Sequence, residues 1–237
     1  MSPESHSLLL VRHAQADWGG ADYDRLSPLG QQQAGLLGCW LASGPVAQQP
    51  RRIVCGPRRR HRQTVDCLVS RWRDAHASVP TIESSPQWDD GDAAALLAAF
   101  RKTNAEARQL AYSAPGATDA QGRALLRAVL DAWRLGALDE YVTERWNDFA
   151  KRISEAYGRM LREYPEPTLV VSSAGAIARF AQVALALGDE AMIELNLRLA
   201  NTAICTFAAE TRAWRLISWN CLPHLANDAG RPLISAN

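Results

Sequence analysis

The stretch that decides the fold of this chain reads SLLLVRHA, at residues 7–14. Residues 7–11 are almost entirely apolar and are typical of a short buried strand, which ends abruptly at Arg12 and His13. Open α/β folds bind their ligands at the carboxyl edge of the sheet, so we expect both polar side chains to meet at that edge. An arginine beside a histidine is a common pair, and its significance depends on the segments further along the chain.

Strand-like and helix-like segments alternate beyond this first strand. Further strands are predicted at residues 53–55, 81–83, 168–171, 203–208 and 214–219. Helices are predicted from Ser27 and Pro28 to about residue 42, and at about 58–75, 143–164 and 175–187. This alternation predicts an α/β fold, a three-layer α/β/α sandwich around a mostly parallel six-stranded sheet.

Residues 93–138 carry no strand signal and are interpreted as a helical insertion. Two helices are expected there, at about 93–112 and 119–135, joined by the sequence SAPG. Each helix is too short to bury a core alone, so the chain is predicted to be one domain over residues 1–237.

Composition excludes several classes of protein. The net charge of +1 argues against a protein that coats nucleic acid or an anionic membrane, and no apolar run is long enough to span a bilayer. The first residues do not resemble a signal peptide. The 5 cysteines contain no CxxC pair and no ligand spacing with histidine, so free thiols in a reducing cytoplasm are expected, without metal or cofactor.

Two further segments strengthen the interpretation of the first strand. LSPLG at residues 26–30 opens a helix, and GPRRRHRQT at residues 56–64 leads from the second strand into another. Together with residues 12–14 they resemble the histidine phosphatase superfamily, which has the phosphoglycerate mutase-like fold, in which a strand ends in R-H-G and a later R-A-x-Q-T supplies a second arginine. Residues 143–152, 195–206 and 216–225 also resemble motifs of that family, so the resemblance covers most of the chain.

The resemblance implies a role for each matching residue. His13 would attack phosphorus and form a phosphohistidine, and Arg12 and Arg60 would hold the phosphoryl oxygens. These residue types suit the chemistry, because a neutral imidazole is nucleophilic and a guanidinium meets two oxygens at once without losing its proton. The leaving alkoxide also needs a proton from a nearby carboxyl group.

The carboxyl group is expected in the sequence PQWDDGD, at residues 86–92. The family pattern places Asp90 as the general acid, with Asp89 and Asp92 close enough to be confused with it. The alternative is a solvated acidic turn that caps the helix beginning near residue 93.

The departure from the family pattern is at Ser173. The family has a second phosphate-binding histidine after the fourth strand, where this chain reads VVSSAGAI at residues 170–177. A serine donates one uncharged hydrogen bond, so we expect weaker phosphate binding and slower turnover. A bacterial subgroup of the family resembles this chain in having Ser at that place.

Other residues are expected around the pocket. Gln15, Trp18, Trp88 and His224 are candidates for its rim, the alternative being core packing for the tryptophans and a structural hydrogen bond for His224. His61, next to Arg60, is expected at the surface or rim.

The predicted function is therefore that of a phosphatase of the metal-independent histidine acid phosphatase type. The alternative is a non-catalytic member of the fold that binds a phospho-ligand or a protein, and a phosphoglycerate mutase is the least favoured hypothesis. The expected substrate is a phosphorylated small molecule or a phosphoprotein, with inorganic phosphate or sulfate binding in the same pocket.

Overall fold

One mixed sheet runs through the centre of the protein. The structure, a computed structural model, describes residues 6–17, 24–44, 49–75, 79–104, 120–226 and 231–235. Its strands are β1 (Ser7–Arg12), β2 (Arg52–Cys55), β3 (Thr81–Ser84), β4 (Thr168–Ser172), β5 (Ile204–Ala209) and β6 (Trp214–Cys221). Their order in the sheet is β3-β2-β4-β1-β5-β6.

The strands are parallel over most of the sheet. β1 and β2 both pair with β4 in parallel, and β3 pairs with β2 in parallel. β5 runs antiparallel to β1, and β6 runs antiparallel to β5. The predicted mostly parallel, six-stranded sheet is confirmed, with an antiparallel pair along one edge.

The helices match the predicted segments, with three differences. They are α1 (Pro28–Ser43), α2 (Arg59–Ala75), α3 (Ala93–Thr103), α4 (Ala120–Arg134), α5 (Trp146–Glu163), α6 (Ala174–Leu185) and α7 (Asp189–Arg198). The helix expected to reach residue 112 ends at Thr103, because Asn104 adopts an extended backbone. The fifth begins a few residues later than predicted, and α7 is an additional helix. None of the helices in the described part of the chain combines the length and apolar character that crossing a bilayer requires.

Alternating side chains on the strands bury two separate faces of the sheet. Leu10, Val54 and Val170 pack in a cluster with residues of α3 to α7. Their neighbours in the strands point the other way, and Val11, Ile53 and Val171 pack against α1 and α2. This period of two produces the three layers that the sequence predicts.

The described part of the predicted insertion packs on the same core. Leu96 and Phe100 of α3 and Leu125 and Val129 of α4 belong to the cluster on that face of the sheet. At the end of α4 the ring of Trp133 meets Trp146 edge-on, with centroids 5.2 Å apart. The insertion is therefore joined to the sheet through α5, while residues 105–119 lie outside the described residues.

Helices α1 and α2 approach each other closely at Gly38. A Cβ atom on Gly38 would lie 2.5 Å from the carbonyl oxygen of Leu68, so the two backbones touch. Gly35, one turn earlier on α1, meets only the side chain of Arg71, at 3.7 Å. The two glycines therefore give a matched pair for testing the packing.

We predict that Gly38→Ala destabilises the fold by about 1–3 kcal/mol, because α2 must move to admit one methyl group. Gly35→Ala is the control, and it should be neutral or stabilising by up to about 1 kcal/mol through helix propensity. Urea denaturation of both variants measures the difference. Equal stabilities of the two variants would contradict the close approach.

Candidate active site

Four parallel strands deliver the candidate residues to one edge of the sheet. β1 ends at Arg12 and is followed by His13, β2 leads through Gly56 into α2, and β4 ends at Ser172 and is followed by Ser173. The loops are tied together, since the backbone N–H of His13 donates to Ser172 O over 2.7 Å and that of Gly56 donates to Val171 O over 2.9 Å. The loop after β3 joins them, because Ser172 Oγ donates to the carbonyl of Trp88 over 2.7 Å.

Hydrogen bonds select one tautomer of His13. Its Nδ1 lies 2.8 Å from the carbonyl oxygen of Ala14, which can only accept, so Nδ1 carries the proton. Its Nε2 lies 3.2 Å from Nε of Arg60, which can only donate, so Nε2 carries the lone pair. Both contacts fix the ring with an unprotonated Nε2 facing the guanidinium.

The environment of His13 favours this neutral form. Burial lowers its pKa well below the ordinary value, and the positive charges of Arg60 and Arg12 and the neighbouring His61 lower it further. The hydrogen bond to Ala14 opposes this shift. A buried, uncharged imidazole with a directed lone pair is a competent nucleophile.

The guanidinium of Arg60 connects the candidate residues. Besides His13, its Nη1 lies 2.7 Å from Asp24 Oδ1, and its Nη2 lies 3.2 Å from Asp90 Oδ2 and 3.4 Å from Ser173 Oγ. The residue is only 4% exposed, so these contacts act at low dielectric. The structure therefore brings His13, Arg60, Asp90 and Ser173 together.

Arg12 is held by the turn between α7 and β5. Its Nη1 donates to the carbonyl of Leu199, and the backbone N–H of Thr202 donates to Arg12 O over 3.0 Å. Thr202 has a φ of 58°, which is unusual for a β-branched residue, and Asn201 Nδ2 donates to His13 O over 3.1 Å. This strained turn therefore holds the backbone carbonyls of Arg12 and His13 by hydrogen bonds.

The three aspartates after β3 have different partners. Asp89 Oδ1 accepts from Arg58 Nε over 2.5 Å, and Asp92 Oδ1 caps α3 by accepting from the N–H of Ala95 over 3.0 Å. Asp90 alone of the three contacts Arg60. The capping expected for this segment is present, but Asp92 performs it.

The surroundings of Asp90 raise the pKa of its carboxyl group. Burial raises its pKa, and so does the charge of Asp89, while Arg60, Arg58 and a hydrogen bond from Ser173 lower it. The net direction is upward, in spite of two nearby guanidinium groups.

Arg152 of α5 holds the loop that carries Asp90. Its Nη1 donates to the carbonyls of Gln87 and Asp89 over 2.8 and 2.9 Å, and its Nε and Nη2 both donate to Glu144. A bidentate ion pair restricts the guanidinium and so orients the bonds to the loop. Residues 143–152 resemble a family motif, but nothing in their sequence indicates this contact.

Ser173 lies at the N-terminus of α6. It is the N-cap residue and makes no side-chain capping bond, and it is 1% exposed. The helix begins with Ala174, so its first N–H groups and its dipole contribute partial positive charge beside Asp90 and Arg60.

The prediction for His61 is wrong. The residue is fully buried, its Nε2 lies 2.8 Å from Ser173 Oγ, and its ring centroid is 5.6 Å from that of His13. In the sequence His61 stands among charged residues of α2, which suggests exposure, but the structure places its ring inside the protein against Ser173. Nothing in the local sequence indicates this burial.

Two of the four predicted rim residues are buried. Trp88 is 1% exposed and stacks on Phe180 in the core, so its ring forms no wall of the pocket. His224 is buried, with Nε2 at 2.9 Å from Thr202 Oγ1, so it supports the turn beneath Arg12 instead of facing the rim. Gln15 is partly buried and its side chain accepts from Ser27 Oγ. Trp18 lies outside the described residues.

The side chains that commonly bind metals are dispersed over the described part of the chain. Among the residues that the structure describes, no three or more His, Cys, Asp or Glu side chains are grouped to hold a metal ion. Each of the five cysteines is a free thiol.

Comparison with known proteins gives a family and a set of structural neighbours. The family model of the histidine phosphatase superfamily (branch 1) matches residues 8–222. No curated protein matches the chain in sequence.

Several solved structures share the fold. A putative alpha-ribazole-5'-P phosphatase from Escherichia coli has 17% identity and a TM-score of 0.60, covering 92% of this chain and 97% of that one. A mycobacterial glucosyl-3-phosphoglycerate phosphatase in complex with inorganic phosphate has 21% identity and a TM-score of 0.59, covering 93% and 99%. The TM-scores show a common fold, and at identities this low the likeness extends to the fold alone.

We predict that His224 makes stability depend on pH. Burial lowers its pKa to about 4, from an ordinary 6.5, so the unfolded chain binds the proton first as pH falls. Its contribution is complete above pH 6.5 and is lost progressively toward pH 4. Relative to His224→Gln, the free energy of unfolding should fall by about 2–3 kcal/mol more between pH 7 and 4.5. Parallel pH profiles in urea denaturation would contradict the assignment.

Proposed function

Because the chain belongs to the histidine phosphatase superfamily, we propose that it hydrolyses phosphomonoesters through a phosphohistidine on His13. The observation that carries this proposal is the fixed tautomer of His13, whose lone pair on Nε2 faces Arg60 at the edge of the sheet. An enzyme of this kind needs a nucleophile, cations for the phosphoryl oxygens and an acid for the leaving group. Each has a candidate within this site.

The proposed reaction has two steps. Nε2 of His13 attacks phosphorus, the bond to the ester oxygen breaks, and Asp90 gives its proton to the departing alkoxide. Water then attacks phosphorus while the Asp90 carboxylate takes its proton, the bond between phosphorus and nitrogen breaks, and inorganic phosphate leaves. Both enzyme groups return to their starting states.

Arg12 and Arg60 supply the charge that the phosphoryl oxygens require. Both are largely buried, which strengthens their attraction for an anion. The Ser173 hydroxyl and the N-terminus of α6 complete the proposed phosphate pocket. With two guanidinium groups in place, we expect no metal or cofactor requirement.

Asp90 is the proposed general acid, in preference to Asp89 and Asp92. Its pKa is raised, which is the direction that a general acid requires, and it contacts Arg60, whose guanidinium also contacts Nε2 of His13. Asp89 is paired with Arg58, and Asp92 is used as a helix cap.

A non-catalytic phosphate-binding module is the second candidate. The observation behind this alternative is that Ser173 is uncharged and that Arg60 already contacts the carboxyl groups of Asp24 and Asp90, so fewer charges are available to accelerate phosphoryl transfer.

For the proposed enzyme we expect slow turnover, with a phosphorylated small molecule or a phosphoprotein as substrate. The five free thiols are consistent with a cytoplasmic location. We also propose that the chain is a single domain, since all six strands share one sheet.

We predict that wild-type protein hydrolyses 4-nitrophenyl phosphate and that His13→Asn lowers kcat/KM by at least about 10³-fold, because no nucleophile remains. His6→Asn, which changes a histidine at the other end of β1, is the matched control and should retain activity. Phosphate binding without turnover in the wild type would support the non-catalytic alternative. Turnover that is insensitive to His13→Asn would exclude the proposed nucleophile.

We predict that the requirement for Asp90 depends on the leaving group. Asp90→Asn should slow hydrolysis of an alkyl phosphate by about 10²–10⁴-fold, but that of 4-nitrophenyl phosphate much less, because nitrophenolate leaves without a proton. Asp89→Asn is the control.

The same pair of variants tests the pH dependence. Activity toward the alkyl phosphate requires neutral His13 and protonated Asp90, so it should fall at low pH as His13 gains a proton and at high pH as Asp90 loses its own. Asp90→Asn should remove the decline at high pH. An unchanged decline would assign it to another group.

A further inference from the structure

One buried ionisable residue beside the phosphate pocket has no part in the proposed reaction. His61 lies on α2, is fully buried and follows Arg60 in the chain. Its Nε2 is 2.8 Å from Ser173 Oγ, which in turn contacts Arg60 and Asp90. The imidazole therefore reaches the proposed pocket through a single hydroxyl group.

The surrounding backbone is shaped for this ring. A Cβ atom on Gly56 would lie 2.3 Å from Nδ1 of His61 and 2.6 Å from the carbonyl oxygen of Trp88. No other residue type fits at Gly56 while the imidazole and the loop after β3 keep their places. The loop between β2 and α2 thus leaves a space that the His61 ring occupies.

We propose that His61 is a positioning residue of the phosphate pocket, which takes up a proton when a phosphoryl dianion binds and then turns the Ser173 hydroxyl toward that dianion. The inference rests on the proposed function, because it assumes that phosphoryl groups bind between His13, Arg60 and Ser173. In this proposal His61 supplies the positive charge behind the phosphoryl group that the uncharged Ser173 lacks.

The hydrogen bond between His61 and Ser173 has two arrangements. When Nε2 is unprotonated it accepts the Ser173 hydroxyl proton, which is then unavailable to a ligand. When both ring nitrogens are protonated, Nε2 donates to Oγ, the hydroxyl proton is released to a phosphoryl oxygen, and the ring carries a positive charge. Of these two arrangements, only the second makes Ser173 a donor to the dianion and also places a positive charge behind it.

The charges around His61 set the balance between the two arrangements. It is faced by Arg58, Arg60 and Arg62 of α2, by His13 after β1, by Gly56 after β2 and by Ser173 after β4. Asp90, after β3, interacts with Ser173 on the other side of the hydroxyl group. Burial and the guanidinium groups lower the pKa of His61 well below its ordinary value. A dianion in contact with Ser173 offsets these positive charges and so favours the protonated ring.

Ring-nitrogen NMR with inorganic phosphate as the probe tests the proton uptake. At pH 6.5 and without phosphate, one 15N resonance of His61 should report an unprotonated ring nitrogen. Saturating phosphate should bring both resonances to the positions of an imidazolium, and the signals are assigned by their loss in His61→Gln. A ring that stays neutral at saturation would overturn the proposal.

Single and double substitutions at positions 61 and 173 test whether the imidazole of His61 acts on phosphate through Ser173. His61→Ala and Ser173→Ala should each lower phosphate affinity by about 10- to 100-fold, and the double variant should be no worse than either, because the pair acts as one unit. Ser173→His alone should bind weakly, since His61 already fills the space. Ser173→His combined with His61→Ala should restore affinity.

A volume control separates chemistry from packing. Ser173→Phe combined with His61→Ala fills the same space without a ring nitrogen, so it should fold but not recover phosphate binding. Circular dichroism melting checks folding, and His61→Gln provides a variant of nearly unchanged bulk that cannot take up the proton. Equal recovery with Phe and His would assign His61 a packing role and overturn the proposal.

The two proposals fail separately. Phosphate-dependent protonation of His61 in a wild-type protein that hydrolyses no phosphoester would support this inference and reject the proposed activity. Hydrolysis that is fully retained by His61→Gln, with unchanged phosphate affinity, would support the activity and reject the inference.

Discussion

The guanidinium of Arg60 is the group on which the candidate site depends. It donates to His13, Asp24, Asp90 and Ser173, which come from four different segments of the chain. Because it is buried and can only donate, it defines the acceptor nitrogen of His13 and draws two carboxylates toward it. Removing it would take the positive charge away from two partly exposed carboxyl groups, Asp24 and Asp90, and the contact from Nε2 of His13.

The fold makes this convergence possible. Parallel pairing of β1 with β4, β4 with β2 and β2 with β3 places the carboxyl ends of these four strands at one edge, so the residues that follow them become neighbours. Arg152 and the turn at Thr202 then hold the loop after β3 and the end of β1 through backbone carbonyls. His13, Arg12 and the loop that carries Asp90 are thus positioned by backbone contacts as well as by side chains.

Much of this architecture could be predicted from local patterns. Residues 7–14 predict a buried strand ending in two polar residues, and their alternation with helical segments predicts the three layers. The motifs assign Arg12, His13, Arg60 and Ser173 to one site, and the structure brings His13, Arg60 and Ser173 into direct contact. The family pattern points to Asp90, but the sequence alone could not show which of Asp89 and Asp90 contacts Arg60, because Arg58 and Arg60 lie 31 and 30 residues before their partners. The burial of His61 and Trp88 could not be predicted either, because it depends on segments that are distant in the sequence and pack over them.

The central claim is that His13 carries the phosphoryl group during turnover. Rapid mixing with a 32P-labelled phosphoester, an alkaline quench that preserves phosphohistidine, and peptide mapping measure it most directly. The label should appear on the peptide containing His13, form before phosphate is released, and be absent from His13→Asn. Turnover without a covalent label, or a label on Ser173, would contradict the proposed mechanism.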